Sequence, residues 1–191
     1  MRVQNTNDRS YFGDKSIPAA KDQLVQQTLR RLFEHKAWAN DQLLSALKRL
    51  GEHSPVTELA IRALSHSYVV DRIFAAHLRE EPHTYTSANM AEMPRLDELS
   101  AAIRASDDEY VDYASKLDHR QLTERIDFTF TDGAPGRMSR EEMLMHVITH
   151  GFGHRGQVSA VMLLKSVPPA ADGFTTYLHK TEAPARRRKA A

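Results

Sequence analysis

Apolar residues recur at helical spacing along most of this chain, and the pattern predicts four long helices. The predicted helices cover residues 19–50, 54–80, 95–117 and 140–165. Ser54 followed by Pro55 is typical of a helix start, and Ser139 with Glu142 forms a capping box. Gly51 is expected to cap the first helix at its C-terminus. Four amphipathic helices, with one long crossover connection over residues 81–94, predict an all-α four-helix bundle.

A different pattern precedes the last long helix. Residues 126–131 alternate apolar and polar side chains, which is typical of a strand. Asp132-Gly133 and Pro135-Gly136 then supply the residues of a tight turn. We therefore expect a small hairpin or an extended loop before the last helix. Farther along, residues 174–178 are predicted to form a short turn that packs back on the bundle.

The two ends of the chain are polar and set the predicted domain bounds. Residues 1–17 are predicted to form a flexible N-terminal arm, residues 18–180 the bundle, and residues 181–191 a basic disordered tail. The run from Arg186 to Lys189 could contact nucleic acid, but four charges in a tail more often only aid solubility. Nucleic acid is therefore not expected as a partner.

Composition excludes several kinds of site. The 191 residues include no cysteine, which excludes disulfides, thiolate metal ligands and a cysteine nucleophile. The formal net charge of +1 argues against a broad nucleic-acid footprint, and the acidic residues of the third helix are expected to form a solvated face.

No apolar run approaches the length of a membrane span, and residues 1–20 lack the apolar segment of a signal peptide. We expect no membrane association and, by default, a cytoplasmic location.

The strongest candidates for a functional site are three histidines in the fourth predicted helix. His146, His150 and His154 stand at i, i+4 and i+8, so a helix projects all three from one stripe. Neutral imidazole is a common ligand of divalent transition metals. At about 1.5 Å of rise per residue the outer two lie roughly 12 Å apart, whereas metal–nitrogen bonds measure about 2.0–2.1 Å. One ion could therefore be held by His146 with His150 or by His150 with His154, and a third ligand must come from elsewhere.

The second predicted helix offers two candidates for that third ligand. His66 and His77 lie about 16 Å apart along a helix axis, so only one of them could join the ion. The alternative is that these histidines, like those of the fourth helix, are solvated or hydrogen-bonded residues without a metal. Gly151, Gly153 and Gly156 either allow a close helix–helix approach or leave room for an ion and a substrate, and the residues alone do not rank the two.

Three segments together resemble the DinB-like (DinB/YfiT) superfamily of metal-binding four-helix bundles. They are residues 35–44 (HKAWANDQLL), residues 64–74 (LSHSYVVDRIF) and residues 146–157 (HVITHGFGHRGQ). The specific feature is the pattern His-x-x-x-His-Arg-Gly-Gln from His150 to Gln157. The resemblance covers roughly residues 21–178.

The resemblance implies His66, His150 and His154 as the ligands of one divalent metal ion, usually zinc or nickel, with His146 as a neighbour rather than a ligand. It also implies a homodimer. Three histidine ligands that leave positions open to water describe a catalytic type of site. His77 or Asp71 could support the ligands from outside the coordination sphere.

Three functions are compatible with such a site. Characterised members of the superfamily include thiol S-transferases, so the first hypothesis is a metal-dependent enzyme that transfers a low-molecular-weight thiol to a small electrophile. The metal would lower the pKa of the thiol. The second hypothesis is a metal-dependent hydrolase that uses metal-bound hydroxide, and the third is a non-catalytic, metal-binding, dimeric stress protein. The sequence predicts metal ligands but does not identify any catalytic residue.

Overall fold

The computed structural model describes residues 16–50 and 54–186, and for residues 16–22 the backbone alone. Nearly all of the predicted N-terminal arm, the expected cap Gly51 and the last five residues of the predicted tail lie outside the described residues.

Seven helices and one two-stranded sheet make up the described part of the chain. In chain order they are α1 (Ser16–Leu47), α2 (Pro55–Arg79), α3 (Leu96–Lys116), α4 (His119–Thr123), β1 (Arg125–Thr129), β2 (Pro135–Ser139), α5 (Arg140–Leu163), α6 (Phe174–Thr181) and α7 (Ala183–Arg186). The four long helices α1, α2, α3 and α5 confirm the predicted helical bundle. The antiparallel pair of β1 and β2 confirms the predicted hairpin.

Local side-chain contacts explain where the helices of the site begin. Ser54 accepts a hydrogen bond from the Thr57 N–H, and Pro55 opens α2. At α5, the Ser139 hydroxyl accepts from the Glu142 N–H while the Glu142 carboxylate accepts from the Ser139 N–H. The hairpin therefore leads directly into α5, and this helix has a fixed first turn.

The long helices run in two parallel pairs. α1 packs against α3 and α5, and α2 packs against α5 and α3. Tyr110 donates a hydrogen bond to the Asp71 carbonyl, and Tyr113 donates one to the Leu78 carbonyl, so α2 and α3 run in the same direction. Two consecutive parallel helices require a connection that returns the chain along the bundle. Residues 80–95 provide it, as the predicted crossover requires.

Two apolar clusters fill the bundle, one near the hairpin and one near the opposite end. The hairpin cluster includes Phe33, Phe74, Tyr110, Phe128 and Met143. The opposite cluster includes Leu43, Leu47, Leu64, Leu99 and Met162.

A charged layer separates the two clusters. The Lys36 ammonium donates to carboxylate oxygens of Asp71 and Asp107, both at 2.7 Å, and all three residues are buried. Asn40 donates a further hydrogen bond to Asp107 at 2.8 Å. Burial raises the pKa of Asp71 to about 6 against the opposing effect of Lys36, so the carboxylate is still ionised at neutral pH. The expectation of a solvated acidic face on α3 is therefore wrong for Asp107, which faces the core.

The C-terminal segment packs on the outside of α1. Tyr177 of α6 lies 5.6 Å from the ring of His35 and 5.7 Å from the ring of Trp38. The predicted turn over residues 174–178 is thus a two-turn helix. Within the predicted C-terminal tail, Ala183–Arg186 form the short helix α7. None of the described helices combines the length and apolar character needed to cross a membrane.

Candidate metal centre

Helices α2 and α5 bring three histidines together. His66 comes from α2, while His150 and His154 lie one turn apart on α5. One ring nitrogen of each lies within 4.8 Å of the others, and the Nε2 atoms of His150 and His154 are 3.1 Å apart. Two nitrogens bound at about 2.0–2.1 Å to a shared ion stand roughly 2.9–3.4 Å apart. The His150–His154 pair therefore already has the separation of two ligands of one ion.

His146, one turn before His150, is not part of this group. Its ring lies 5.3 Å from the ring of His150 and 4.5 Å from the ring of Phe74. The two pairings that the spacing left open are thus distinguished, because His66 approaches His150 and His154 rather than His146. The assignment of these three histidines as metal ligands stays a prediction.

The site favours neutral imidazoles. Burial lowers the pKa of His150 to about 4, and the neighbouring His154, His146 and His66 add to this effect. Burial also lowers the pKa of His154 and that of His146. At pH 7 His150 and His154 therefore carry a free ring lone pair, which is the form that binds a metal.

The orientation of the rings also fits a shared ion. The Nδ1 atoms of His150 and His154 are buried and have no hydrogen-bond partner among the described residues, while their Nε2 atoms face each other. His150 and His154 would hold a divalent ion through their ring lone pairs, and each ring would then keep one proton on its other nitrogen. The donor set consists of nitrogen alone, which suits zinc or nickel better than magnesium or calcium.

The crossover connection contributes a contact that the sequence did not indicate. Nδ1 of His66 lies 3.3 Å from Oδ1 of Asn89. If His66 binds a metal through Nε2, its Nδ1 carries the proton and donates to Asn89, which fixes the tautomer. Asn89 lies in irregular backbone between Pro82 and Pro94, where no periodicity marks a functional position.

The two residues expected to support the ligands lie elsewhere. Asp71 accepts a hydrogen bond from Lys36 in the charged layer. His77 packs against His83 and Phe128, with ring centroids 5.1 Å and 4.7 Å away. The structure places neither of them against the three histidines.

The glycines of α5 divide between the two explanations. A Cβ at Gly151 would lie 3.1 Å from Cε of Lys36, so a close approach explains this glycine. A Cβ at Gly153 or Gly156 would meet nothing within 4 Å, and these two border open space. The charged layer thus lies directly against the backbone next to His150.

Comparison with known proteins gives consistent results over most of the chain. A family model described as the DinB family matches residues 24–188. "Protein DinB" of Bacillus subtilis (strain 168) is 21% identical over 164 residues, which span 80% of this chain and 94% of that protein. The crystal structure of a DinB-like protein from Bacillus cereus ATCC 10987 is similar in fold, with a TM-score of 0.53 at 20% identity. That similarity covers 76% of this chain and 93% of the other.

Proposed function

This chain belongs to the DinB family, and on that basis we propose that His66, His150 and His154 bind one divalent metal ion, zinc or nickel, in a metal-dependent enzyme. The observation that carries the proposal is the convergence of three imidazoles from two helices. Among the described residues no further histidine or carboxylate joins them. An ion held there would keep positions for water or substrate, as in catalytic zinc sites and unlike closed structural ones.

The reaction that we favour is the transfer of a low-molecular-weight thiol to a small electrophile. A divalent ion at this site would supply Lewis acidity and lower the pKa of a thiol. Because the three donors are neutral, the ion would keep its full charge, which favours an anionic sulfur. The thiol sulfur forms a bond to the electrophilic carbon of the second substrate as the bond from that carbon to its leaving group breaks. The thiol proton departs with the leaving group.

In this proposal, helix α5 sets the spacing of two ligands and the crossover connection orients the third. His150 and His154 are set at their separation by one helical turn, so α5 fixes two of the ligands without help from a loop. His66 is oriented by Asn89 of the crossover connection. All three histidines remain partly exposed, so a small substrate can reach them from solvent.

Elemental analysis of the purified protein tests the metal centre. We expect about one zinc or nickel ion per chain, lost in His66→Ala, His150→Ala and His154→Ala, because each removes one of three ligands. His146→Ala is the matched control, since it removes a histidine of the same helix that lies outside the group. Equal loss of metal in His146→Ala, or no metal after reconstitution of the wild type, would refute the assignment.

Turnover assays separate the candidate functions. The metal-loaded protein is mixed with a panel of thiols and an activated aryl chloride, and product is followed by absorbance. A rate that saturates with one thiol and disappears in His150→Ala supports thiol transfer. Ester or amide cleavage without a thiol would indicate the hydrolase instead, and bound metal with no turnover in either assay would indicate a non-catalytic metal-binding protein.

The homodimer stays a prediction from the family resemblance. Size-exclusion chromatography with light scattering tests it, and a molar mass equal to that of one chain would contradict it.

A further inference from the structure

A pocket lies between the C-terminal end of α2, the crossover connection and the hairpin. Its volume is about 570 Å³, within the size range of small-molecule sites. None of the three clustered histidines lines it. His77, which does, is eleven residues beyond His66 on α2 and so roughly 16 Å away along the helix axis. The pocket is therefore separate from the candidate metal centre.

Five rings in consecutive contact form one wall of this pocket, which we call the ring wall. Its members, in order of contact, are Tyr85, His83, His77, Phe128 and Phe130. The centroid distances between successive rings are 6.0, 5.1, 4.7 and 4.8 Å. His77 is only 8% exposed, whereas Phe130 is 45% exposed. The wall therefore extends from the bundle core to solvent.

The charges around the pocket are negative. Three carboxylates line it, those of Glu80, Glu81 and Asp127, and no lysine or arginine is among the lining residues. Arg140 pairs with Glu80 and Arg137 pairs with Asp127, both from outside the lining. Glu81, which is exposed, has no ion pair among the described residues, so its charge in the pocket lining remains uncompensated.

His77 of the ring wall does not oppose this charge. Burial lowers the pKa of His77, and the neighbouring His83 lowers it further, so His77 is neutral at pH 7. The Nδ1 atom of His83 is buried and has no hydrogen-bond partner among the described residues. The pocket thus combines aromatic rings, a free carboxylate and an unpartnered ring nitrogen.

We propose that this pocket binds a small organic cation, with the ammonium group against the ring wall and Glu81 supplying the opposite charge. Aromatic faces attract cations within about 6 Å of the ring centre, and alkylammonium ions are weakly hydrated enough to enter such a site. A divalent metal ion is the other cation that two histidines could attract. Among the described residues no carboxylate or further histidine lies close enough to His77 and His83 to share an ion with them, and a pocket of about 570 Å³ is far larger than an ion needs.

Choline and 3,3-dimethylbutan-1-ol test the proposal, because they share one shape and differ in charge. Each is titrated into the full-length, chelator-treated protein and followed by NMR. We expect choline to shift the resonances of His77 and His83 saturably, with the neutral alcohol at least roughly tenfold weaker. No saturable binding, equal binding of the two compounds, or shifts confined to other residues would overturn the proposal.

Variants locate the charge that the cation recognises. Glu81→Gln should weaken choline binding roughly three- to tenfold, because it removes the uncompensated carboxylate and keeps the shape. Phe130→Leu, at the exposed end of the ring wall, should weaken it to a similar extent. Asp108→Asn, on the exposed surface of α3, is the control and should leave the affinity unchanged. Wild-type affinity in Glu81→Gln would overturn the assignment of the charge.

Choline binding is expected to be independent of the metal centre. The choline affinity should be the same for the metal-loaded and the chelator-treated protein, and also for His150→Ala. Binding that disappears on chelation would place the cation at the metal centre and refute the separate pocket. Failure of the metal-binding proposal alone would leave the choline result unaffected.

Discussion

His66 differs from the other two candidate ligands in what holds it. The spacing of His150 and His154 along one helix turns both side chains to the same side, so their 3.1 Å separation follows from helix geometry. His66 must be presented by a second helix, and a surface contact with Asn89 completes its orientation. The weakest point of the site is therefore the side chain whose support lies in irregular backbone.

Replacing Asn89 tests this view. We expect Asn89→Ala to weaken metal affinity by about tenfold, the lower end of the effect of losing such a contact, because the 3.3 Å bond is long and exposed. Asn89→Asp keeps an oxygen acceptor and should bind metal at least as tightly as Asn89→Ala. Competition with a chromophoric chelator measures both. An Asn89→Ala affinity equal to wild type would show that helix α2 alone orients His66.

The sequence indicated His66, His150 and His154 to different extents, and Asn89 not at all. The pair His150 and His154 follows from spacing alone, although spacing also allowed His146 with His150. His66 became a candidate through helical placement and was singled out only by the family resemblance. Asn89 had no signal, because contacts made by irregular loops depend on tertiary folding that periodicity does not report.

At the scale of the helices, Lys36 of α1 pairs with a carboxylate on each of two neighbouring helices, α2 and α3. Phe33, Lys36, Asn40 and Leu43 follow the three- and four-residue spacing of a buried helix face, so Lys36 occupies a core position. Asp71 and Asp107 occupy the same kind of position on α2 and α3. A polar residue within an apolar stripe was thus a visible signal in the sequence. The pairing itself was not, because it depends on which helices are neighbours.

Breaking this layer should be costly. Lys36→Met leaves two buried carboxylates without their counter-ion, and we expect it to lower the free energy of unfolding by about 3–5 kcal/mol. The matched control is Lys116→Met, which removes an exposed pair with Asp112 and should change stability by less than about 1 kcal/mol. Urea unfolding at pH 7 measures both.

A double variant separates charge from packing at the same position. Lys36→Met combined with Asp107→Asn should recover part of the loss, because one of the two uncompensated charges is gone. A single Lys36→Met variant that costs no more than Lys116→Met would show that the charged layer contributes nothing to joining the helices.

Across the whole molecule, buried and half-buried histidines couple the fold to pH. Burial lowers the pKa of five of them, namely His35, His77, His146, His150 and His154. As pH falls below about 6.5, these histidines therefore bind fewer protons in the folded chain than in the unfolded chain. Their contribution to the free energy of unfolding is therefore complete above about pH 6.5 and is lost as pH falls. For His150 the loss continues down to its folded pKa of about 4.

Asp71 acts in the opposite direction, and the balance decides the observable result. Its folded pKa of about 6 exceeds the ordinary 3.8, so the folded chain gains a proton as pH falls through that window. One such group opposes five, so the urea midpoint of the chelator-treated protein should be lower at pH 5.5 than at pH 7.5. Removing the metal keeps its competition with protons out of the comparison. His146→Gln, which deletes one of the five titrating groups, should reduce the drop. A midpoint that is equal or higher at pH 5.5 would mean that these histidines do not govern the acid stability of the fold.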